Sequence, residues 1–507
     1  MSYPVPLKTV TRLINQLWFP QVAVFVVCLA VLLETLAPTL YTLDSAEFAI
    51  GAATLGIVHA PGYALYLTAA HSFTWLPVGD LGFRVNLFSA VNLALVAPIL
   101  YALLLRLTGQ WWAALAAALG FMWSYYVWAT GIVAEIYASQ IFTLALMLAV
   151  LALLYRSPDP ASRSRLVITL GGVFGLAVST HPASILFAPG MVISFRLLNF
   201  RWRDCVWAAL LAVSIVGISL IYFPVRYRAD PALNLAGVYN TQGTFEAIDL
   251  RTPGGIWWLL SGRQFSGMFF ADGLLPDLGQ FFSLFWGNYL GVGVLIGGLG
   301  IYDVYQTERR LFWIWIAFTL PYTYFYACYG VSDVETMFGP TYLLWAIMIA
   351  FGLRRLTPSS RLRPILAFGL PMILLVINFP LLNLSSDRTV RTRAEHLLAE
   401  IPPNAVVLGH WWDIVPLQYL QMVEHQRTDL ALRNQFLFSK ADYQAYLAWY
   451  LESSPDPLVI LGNAPPELPA TVHASMSLLT LNISYSGKKI NDPVIAGIIL
   501  IRPETSP

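Results

Sequence analysis

Long apolar runs separated by short polar segments fill the chain up to residue 382. A run of about 20 apolar residues is long enough to cross a bilayer as a helix. The pattern predicts eleven spans, near residues 20–40, 86–105, 111–130, 138–155, 166–181, 184–198, 205–223, 281–303, 311–327, 339–353 and 364–382. We expect a polytopic α-helical membrane protein whose two ends lie on opposite sides of the membrane, with the first run retained and not cleaved as a signal.

The positive charges indicate which side of the membrane is cytoplasmic. With eleven spans, one side collects Lys8, Arg12, Arg106, Arg156, Arg163, Arg165, Arg196, Arg201, Arg203, Arg309, Arg310, Arg354, Arg355, Arg361 and Arg363. The short loops on the other side carry almost no Lys or Arg. Because cytoplasmic loops are enriched in these residues, the N-terminus is predicted to be cytoplasmic and the C-terminus extracytoplasmic.

The pattern changes after residue 382. Helix-like stretches follow at 389–400, 413–426 and 440–453. Short apolar strands alternate with them at 405–409, 430–432, 458–462 and 495–501. This alternation predicts a small extracytoplasmic α/β domain over 383–507 with a mostly parallel sheet. It carries no nucleotide-binding motif, so we expect it to cap the site or meet an acceptor. Residues 1–382 then form the membrane domain, with outer loops at 41–85 and 224–280.

Composition agrees with a membrane protein and excludes other classes. The 507 residues are 57% hydrophobic and only 11% charged, whereas a soluble chain has roughly 25% charged residues. A net charge of +1 gives no reason to expect a nucleic-acid partner. The three cysteines, Cys28, Cys205 and Cys328, lie in or beside apolar runs and have neither a disulfide framework nor metal-ligand spacing.

Two acids follow the first predicted span directly. Asp44 and Glu47 are three residues apart, so they share one face of a helix. Asp-x-x-Glu at a helix start is also a capping-box pattern, with Asp44 as N-cap. The two roles are compatible, because a cap fixes the rotamer that a catalytic base also needs. Acids at a membrane boundary are costly unless they are solvated, paired or used.

The rest of this loop offers further candidates for substrate binding. A tight turn runs from His59 to Tyr63, His-Ala-Pro-Gly-Tyr. His59 would bind a phosphate or a sugar hydroxyl, or else satisfy a backbone group. Arg84 and Asn86 lie where the loop re-enters the membrane. Arg84 would snorkel to the headgroups, or pair with Asp44, Glu47 or a lipid phosphate.

Five more polar residues lie on the predicted outer side: Glu135, His181, Arg226, Arg263 and Asp333. An acid in an apolar setting such as Glu135 is more often functional or paired than idle. His181 is a substrate ligand or a satisfied turn histidine, and Asp333 a site residue or a solvated loop acid. Arg226 follows a span end, which suits an interfacial position. Arg263 follows an aromatic helix in a loop otherwise poor in cations.

Two stretches form a specific motif, LDSAEFAIGAATLGIVHAPGYALYL from residue 43 and GD-x-x-x-RVNLFSA at 79–90. In these stretches the sequence resembles the membrane family related to protein O-mannosyltransferases. Weaker matches are AEIYAS at 134–139, THPAS at 180–184, DPALN at 230–234, SGRQF at 261–265 and PLQYLQMVEHQRTDL at 416–430. The chain departs from the family at His-Ala-Pro-Gly, where the family has His-Pro-Pro-Gly, and at THPAS, which replaces an Asn-His form.

The resemblance implies a GT-C-type glycosyltransferase that transfers a sugar, expected to be mannose, from a polyprenyl-phosphate donor to a hydroxyl at the outer face. Asp44 would be the general base, supported by Glu47 or exchanging roles with it. Arg263, with Arg84 or Arg226, would hold the donor phosphate. Displacement would invert the anomeric carbon. We expect no metal and no other cofactor, since two carboxylates without a third ligand are a weak metal signal.

Three alternatives remain at the level of the sequence. The acceptor would be a protein, or instead a lipid or cell-envelope glycan, with the same residues on the donor side. A transporter or flippase of lipid-linked sugar would place functional charges in the cytoplasmic half of the spans and show repeated halves; neither is clear here. A non-catalytic envelope scaffold would bind through the C-terminal domain and tolerate loss of Asp44.

Overall fold

A computed structural model describes residues 7–503, except 43, 157–159, 272, 276, 332, 357, 455, 463–473 and 481–496. The α-helices are α1 (Leu7–Thr35), α2 (Asp44–Thr54), α3 (Ala64–His71), α4 (Leu81–Thr108), α5 (Trp111–Met122), α6 (Tyr125–Ala129), α7 (Ile136–Tyr155), α8 (Pro160–Thr180), α9 (Ala188–Leu197), α10 (Trp202–Leu220), α11 (Tyr222–Arg228), α12 (Pro253–Leu260), α13 (Leu278–Asn288), α14 (Val292–Thr307), α15 (Arg309–Ala327), α16 (Val334–Met337), α17 (Gly339–Arg355), α18 (Leu362–Leu382), α19 (Thr389–Glu400), α20 (Trp411–Met422) and α21 (Lys440–Ser453). Short 3₁₀ helices occur at Ser72–Trp75, Pro182–Phe187, Arg263–Met268 and Gln435–Leu437. The strands are β1 (Gly237–Tyr239), β2 (Phe245–Ala247), β3 (Val406–Gly409), β4 (Ala431–Asn434), β5 (Leu458–Leu461), β6 (Ala474–Thr480) and β7 (Gly497–Pro503).

The chain packs into two compact units. The first contains Met1–Leu36, Leu87–Leu220 and Phe265–Asn383. The second contains Ala37–Asn86, Ile221–Gln264 and Leu384–Pro507. The second unit thus combines parts of both predicted outer loops with the C-terminal region.

Several helices are long and apolar enough to cross a membrane. Within the described part of the chain they are Leu81–Thr108, Ile136–Tyr155, Trp202–Arg228 and Leu362–Leu382. The pair α13 and α14, bent by 104° at its break, would make a fifth span. The protein is therefore a helical integral membrane protein, but eleven spans are not confirmed. The predicted run 111–130, for example, is divided into α5 and α6 by a turn at Ser124, whose hydroxyl donates to the Phe121 carbonyl.

Helix packing in the first unit relies on close approach of backbones. Ala208 and Ala212 of α10 lie against Gly171 and Gly175 of α8. The helices α14 and α17 meet in the same way, with Gly300 against the Met348 carbonyl. Small residues permit this proximity in membrane proteins, where association depends on packing and not on the hydrophobic effect.

The second unit contains a five-stranded sheet in the order β4-β3-β5-β7-β6. The pairs β3–β4 and β3–β5 are parallel, whereas β5–β7 and β6–β7 are antiparallel. The sheet is therefore mixed, and the expectation of a mostly parallel sheet is corrected. The reason is β7, which runs antiparallel to both of its neighbours, β5 and the additional strand β6. Strands β1 and β2 form a separate two-stranded antiparallel sheet.

The core beside this sheet contains apolar residues of strands β3 and β5, which are buried along their whole length. Leu408, Leu458 and Ile460 pack against Tyr446 and Leu447 of α21. A fully buried side chain of this kind contributes about 1.5–3 kcal/mol relative to exposure. The strands are short, so this packing, together with the flanking helices, stabilises the sheet.

The contact between α14 and α17 yields a test of the fold. A Cβ atom at Gly300 would lie 1.8 Å from the Met348 carbonyl oxygen, whereas at Gly298 it would meet nothing within 4 Å. Gly300→Ala is expected to lower the free energy of unfolding by about 1–3 kcal/mol. Gly298→Ala, on the same helix, is the matched control and is expected to be neutral or slightly stabilising. Thermal unfolding in detergent measures both, and equal midpoints would contradict this packing.

Candidate active site

Helix α2 carries both acids in its first turn. Asp44 is already helical, and the Glu47 carboxylate is turned to His59. The capping box therefore does not account for this pair of acids. Residues 45–52 of the helix are all buried, because the apolar and small side chains of SAEFAIGA pack inside the unit. Burial on every side fixes the orientation of the helix and hence of both carboxylates.

Glu47 is fully buried and is satisfied by His59. The backbone N–H of His59 donates to Glu47 Oε1 over 2.7 Å. The Nδ1 atom of its ring lies 3.0 Å from Oε1 and 2.9 Å from Oε2. A buried carboxylate is costly unless it is paired and hydrogen-bonded, so these contacts keep Glu47 in place. They also set the imidazole, with Nδ1–H donating to Glu47 and Nε2 directed away from it.

Asp44 lies on the other side of the same ring. Its Oδ2 atom is 3.7 Å from His59 Nε2, and 28% of its side chain is exposed, against 7% for His59. Burial raises the pKa of Asp44 from 3.8 to about 6; His59 and an indole contact from Trp411 lower it, and the nearby Glu47 raises it. Asp44 is thus the accessible end of a Glu47–His59–Asp44 array and has a pKa close to neutral. These are the properties of a general base that works near neutral pH.

Aromatic rings surround the imidazole of His59. The ring centroids of Phe48, Tyr63 and Trp411 lie 5.9, 5.5 and 5.4 Å from it. Tyr63 is buried and packs edge-on against both His59 and Phe48. This shell excludes water from the array and strengthens its electrostatic interactions.

The turn after His59 is held from the second predicted outer loop. The peptide bond between Ala60 and Pro61 is cis, and Gly62 has a φ of 88°. The N–H of Ala60 donates to Gln264 Oε1 over 3.0 Å, and Gln264 Nε2 donates to the Leu235 carbonyl over 3.2 Å. Gln264, which the sequence did not single out, therefore fixes the loop that carries His59.

The three candidate arginines differ in their contacts. Arg226 donates to the carbonyls of Leu55 and Thr54, at 2.6 and 2.9 Å, and so closes the C-terminal end of α2. Arg84 donates to three carbonyls of the 74–79 segment and not to Asp44 or Glu47.

Arg263 is exposed. It shows no hydrogen bond or ion pair with any residue that the structure describes. Its neighbour in the chain, Gln264, bonds Ala60, so Arg263 starts a segment anchored to the His59 turn.

Asn86 is fully buried and has a structural task. Its Nδ2 atom donates to the carbonyls of Ala37 and Thr39, both over 2.9 Å, and its Oδ1 atom accepts from the Ser45 hydroxyl over 3.5 Å. Asn86 therefore holds the approach to α2, and a substrate contact by Asn86 stays a prediction.

Three predicted site residues lie in the first unit. The backbone N–H of Glu135 donates to the Ser89 hydroxyl over 3.0 Å. His181 begins a 3₁₀ helix, where its Nδ1 accepts from the Ala183 N–H over 3.2 Å. Asp333 precedes α16. The contact at His181 agrees with the interpretation as a satisfied turn histidine. Substrate contacts by these three residues stay predictions.

The array also has the composition of a cation site. Asp44, Glu47 and His59 each offer one ligand atom, and these atoms all lie within 4.8 Å of one another. The sequence missed His59 as a third group because it lies twelve residues after Glu47 and meets it only through the turn.

The fold is GT-C-like and has several similar solved structures. It is similar to ArnT from Cupriavidus metallidurans bound to undecaprenyl phosphate, with a TM-score of 0.60 and 11% identity over 95% of this chain and 97% of that one. It is also similar to the oligosaccharyltransferase of Archaeoglobus fulgidus, with a TM-score of 0.55 and 14% identity over 86% and 68% of the two chains. At these identities the similarity shows the fold alone.

Part of the sequence matches one family. Residues 44–203 match the model of the protein O-mannosyl-transferase TMEM260 N-terminal domain. Protein O-mannosyl-transferase TMEM260 of Mus musculus is 29% identical over 209 residues, which are 40% of this chain. The match spans 30% of that relative's length. The resemblance to the O-mannosyltransferase-related family is confirmed over this part of the chain.

The contacts of Glu47 yield a stability prediction. Glu47→Ala removes the acceptor for both N–H groups of His59 in a buried place, and we expect the free energy of unfolding to fall by about 3 kcal/mol. Glu452→Ala, at an exposed position of α21, is the control and is expected to be neutral. Thermal or chemical unfolding of both variants in detergent is the measurement. Equal midpoints would show that the Glu47–His59 contacts do not support the fold.

Proposed function

We propose that this protein is a membrane glycosyltransferase that moves a sugar from a polyprenyl-phosphate donor to an acceptor hydroxyl. The observation that carries the proposal is the Glu47–His59–Asp44 array. Of its two acids, Asp44 is the one that is partly exposed, and burial raises its pKa. The GT-C fold and the family match, which begins at Asp44 itself, support it. We further propose that the reaction occurs at the extracytoplasmic face, with a cytoplasmic N-terminus and the α/β region 383–507 outside.

Asp44 acts as the general base in this proposal. As the acceptor oxygen attacks the anomeric carbon, Asp44 takes the hydroxyl proton. The bond between the anomeric carbon and the phosphate oxygen breaks, and its electron pair leaves with the lipid phosphate. A single displacement of this kind inverts the anomeric carbon. The imidazole of His59, 3.7 Å from Asp44, faces the carboxyl that receives the proton.

Glu47 supports this base and does not replace it. Its carboxylate has no exposed surface and accepts from the backbone and the ring of His59. A group so enclosed does not reach an acceptor hydroxyl. Its role is to orient His59 and keep a negative charge beside the ring, as a buried carboxylate does behind a catalytic histidine.

Arg263 is our candidate for holding the donor phosphate. It is exposed and starts a segment that Gln264 anchors to the His59 turn. Its guanidinium would donate charge-assisted hydrogen bonds to the phosphate and stabilise the charge of the leaving group. The guanidinium groups of Arg84 and Arg226 donate to backbone carbonyls, which favours Arg263 over them for this role.

The transfer, as proposed, needs no resident metal. His59 Nδ1 lies 2.9–3.0 Å from the Glu47 oxygens, which is a hydrogen-bond distance. A metal bound through Nδ1 would have to replace the proton that Nδ1 donates to Glu47. Deprotonation by Asp44 and phosphate binding by Arg263 together supply the chemistry of the displacement.

Mannose and a protein acceptor are the substrates that the relative's name favours. The mouse protein is called a protein O-mannosyl-transferase. ArnT was captured with undecaprenyl phosphate, which supports a polyprenyl-phosphate donor. A lipid or cell-envelope glycan is the alternative acceptor, and the proposed donor site would be the same.

The first test is transfer by the purified full-length protein. Polyprenyl-phosphate mannose is supplied with hydroxyl-bearing peptides in one arm and glycans in another, with and without a chelator. Asp44→Asn is expected to lower transfer by about 100-fold or more. Asp456→Asn, at an exposed position, is the matched control and is expected to transfer as the wild type does.

Three outcomes would contradict parts of this proposal. Undiminished transfer by Asp44→Asn would remove Asp44 from the mechanism. Loss of transfer in the chelator, restored by one divalent ion, would show that the reaction needs a metal. Absence of transfer by the wild type with any lipid-phosphate sugar would favour a transporter.

The pKa of Asp44 predicts a pH profile. A general base works only when deprotonated, and burial raises this pKa to about 6. The transfer rate at low substrate concentration should therefore rise with pH through about 6 and level off above it. Rates measured from about pH 5 to pH 8 test this, with Asp456→Asn as control. A rate that is flat through this range, or that falls as the pH rises, would contradict the assignment.

A further inference from the structure

The first residue of α20 lies against the candidate site. The ring of Trp411 meets the His59 ring edge to face, with centroids 5.4 Å apart and an interplanar angle of 84°. On its other side, Trp411 packs edge to face against Phe436 at 5.7 Å. Trp411 therefore forms one wall of the array, although it lies more than 350 residues after His59 in the chain.

The indole N–H of Trp411 belongs to the ring that packs against His59, and the Nε2 atom of His59 lies 3.7 Å from Asp44. The Nε1 atom of Trp411 is buried and makes no hydrogen bond with the residues that the structure describes. The Trp411 side chain also lowers the pKa of the Asp44 carboxyl. A buried donor without a partner is costly, so it gains from a hydrogen bond to a carboxylate that comes within its reach.

Two further contacts fix the helix that carries Trp411. Asp413, in the first turn of α20, forms a buried ion pair with Arg393 of α19. Near the other end of α20, the Tyr419 hydroxyl accepts from the backbone N–H of Gly82 over 3.0 Å. A buried pair of this kind constrains geometry more than it adds stability. Together these contacts hold Trp411 beside the His59 ring.

Arg391 adds a further link between the C-terminal region and the segment that contains Asp44. Its guanidinium binds both oxygens of Glu424, at 2.7 Å each, and reaches Asp80 at 3.3 Å. Asp80 precedes α4, and Glu424 follows α20. The C-terminal region is therefore joined by charged groups to the same segment that contains Asp44.

We propose that Trp411 is a positioning residue, whose indole N–H holds the Asp44 carboxylate toward the acceptor while its ring fixes the His59 imidazole. This inference rests on the proposed function. It assigns the C-terminal region a direct part in the active site, beyond capping it or meeting the acceptor. Without the N–H, the carboxylate keeps its chemical character but loses a directional contact that selects one rotamer.

Trp411→Phe tests the N–H and leaves a ring in place. We expect kcat to fall by about 10-fold, the value of one hydrogen bond to a charged group, with the KM of the donor unchanged. A residue with only a structural role would change the stability of the protein, but it would not lower kcat while leaving the KM of the donor unchanged. Trp412→Phe is the matched control, since Trp412 is 47% exposed and stacks on His410. It is expected to transfer as the wild type does.

A double-mutant cycle on thermal stability tests the contact independently of transfer. Trp411→Phe and Asp44→Asn should have non-additive effects, because the first removes the donor and the second removes the charge that strengthens the same contact. Trp412→Phe and Asp44→Asn should be additive. Additive effects for the first pair would overturn the inference whatever the transfer assay gives.

The two proposals fail in different ways. Loss of transfer in Asp44→Asn with wild-type kcat in Trp411→Phe would overturn the role of Trp411 and retain the proposed function. Full transfer by Asp44→Asn would remove the proposed base, and with it the role of Trp411 in catalysis.

Discussion

The Glu47 carboxylate is removed from water, and two N–H groups of His59 satisfy it. This requirement connects helix α2 to the turn twelve residues later, because the charge would be costly without these partners. The arrangement gives the imidazole a fixed orientation, with one nitrogen toward Glu47 and the other toward Asp44. Asp44 thus stays accessible, whereas Glu47 holds the imidazole ring of His59 in place.

Other parts of the second unit position this pair. Arg226 closes the C-terminal end of α2, and Asn86 holds the chain before its start. Gln264 joins the His59 turn to the 230–240 segment, and Trp411 closes one face of the ring. The contributing residues come from three separate stretches of sequence. A site assembled in this way requires the whole unit to fold.

The sequence predicted the two acids as candidate site residues, but not their contacts. The spacing of Asp44 and Glu47, together with the family resemblance, directed attention to the start of α2. Spacing does not reveal which of two acids on one face is buried, because burial depends on packing from distant segments. Arg84 and Arg226 were candidates for phosphate binding, but carbonyls that no motif reveals engage both.

The same limit applies to the fold. The apolar runs correctly predicted a helical membrane protein, but run length alone does not show where a turn such as that at Ser124 divides a run. Strands at Val406–Gly409 and Leu458–Leu461 follow their apolar segments, whereas β6, at Ala474–Thr480, was not predicted.

The central claim is that Asp44 faces the reacting carbon of a donor whose phosphate Arg263 holds. An experimental structure of the full-length Asp44→Asn protein with polyprenyl-phosphate mannose tests it most directly. We predict the phosphate beside Arg263 and the anomeric carbon facing residue 44, with room for one hydroxyl between them; a donor bound with its phosphate away from Arg263 or its sugar away from residue 44 would contradict the account.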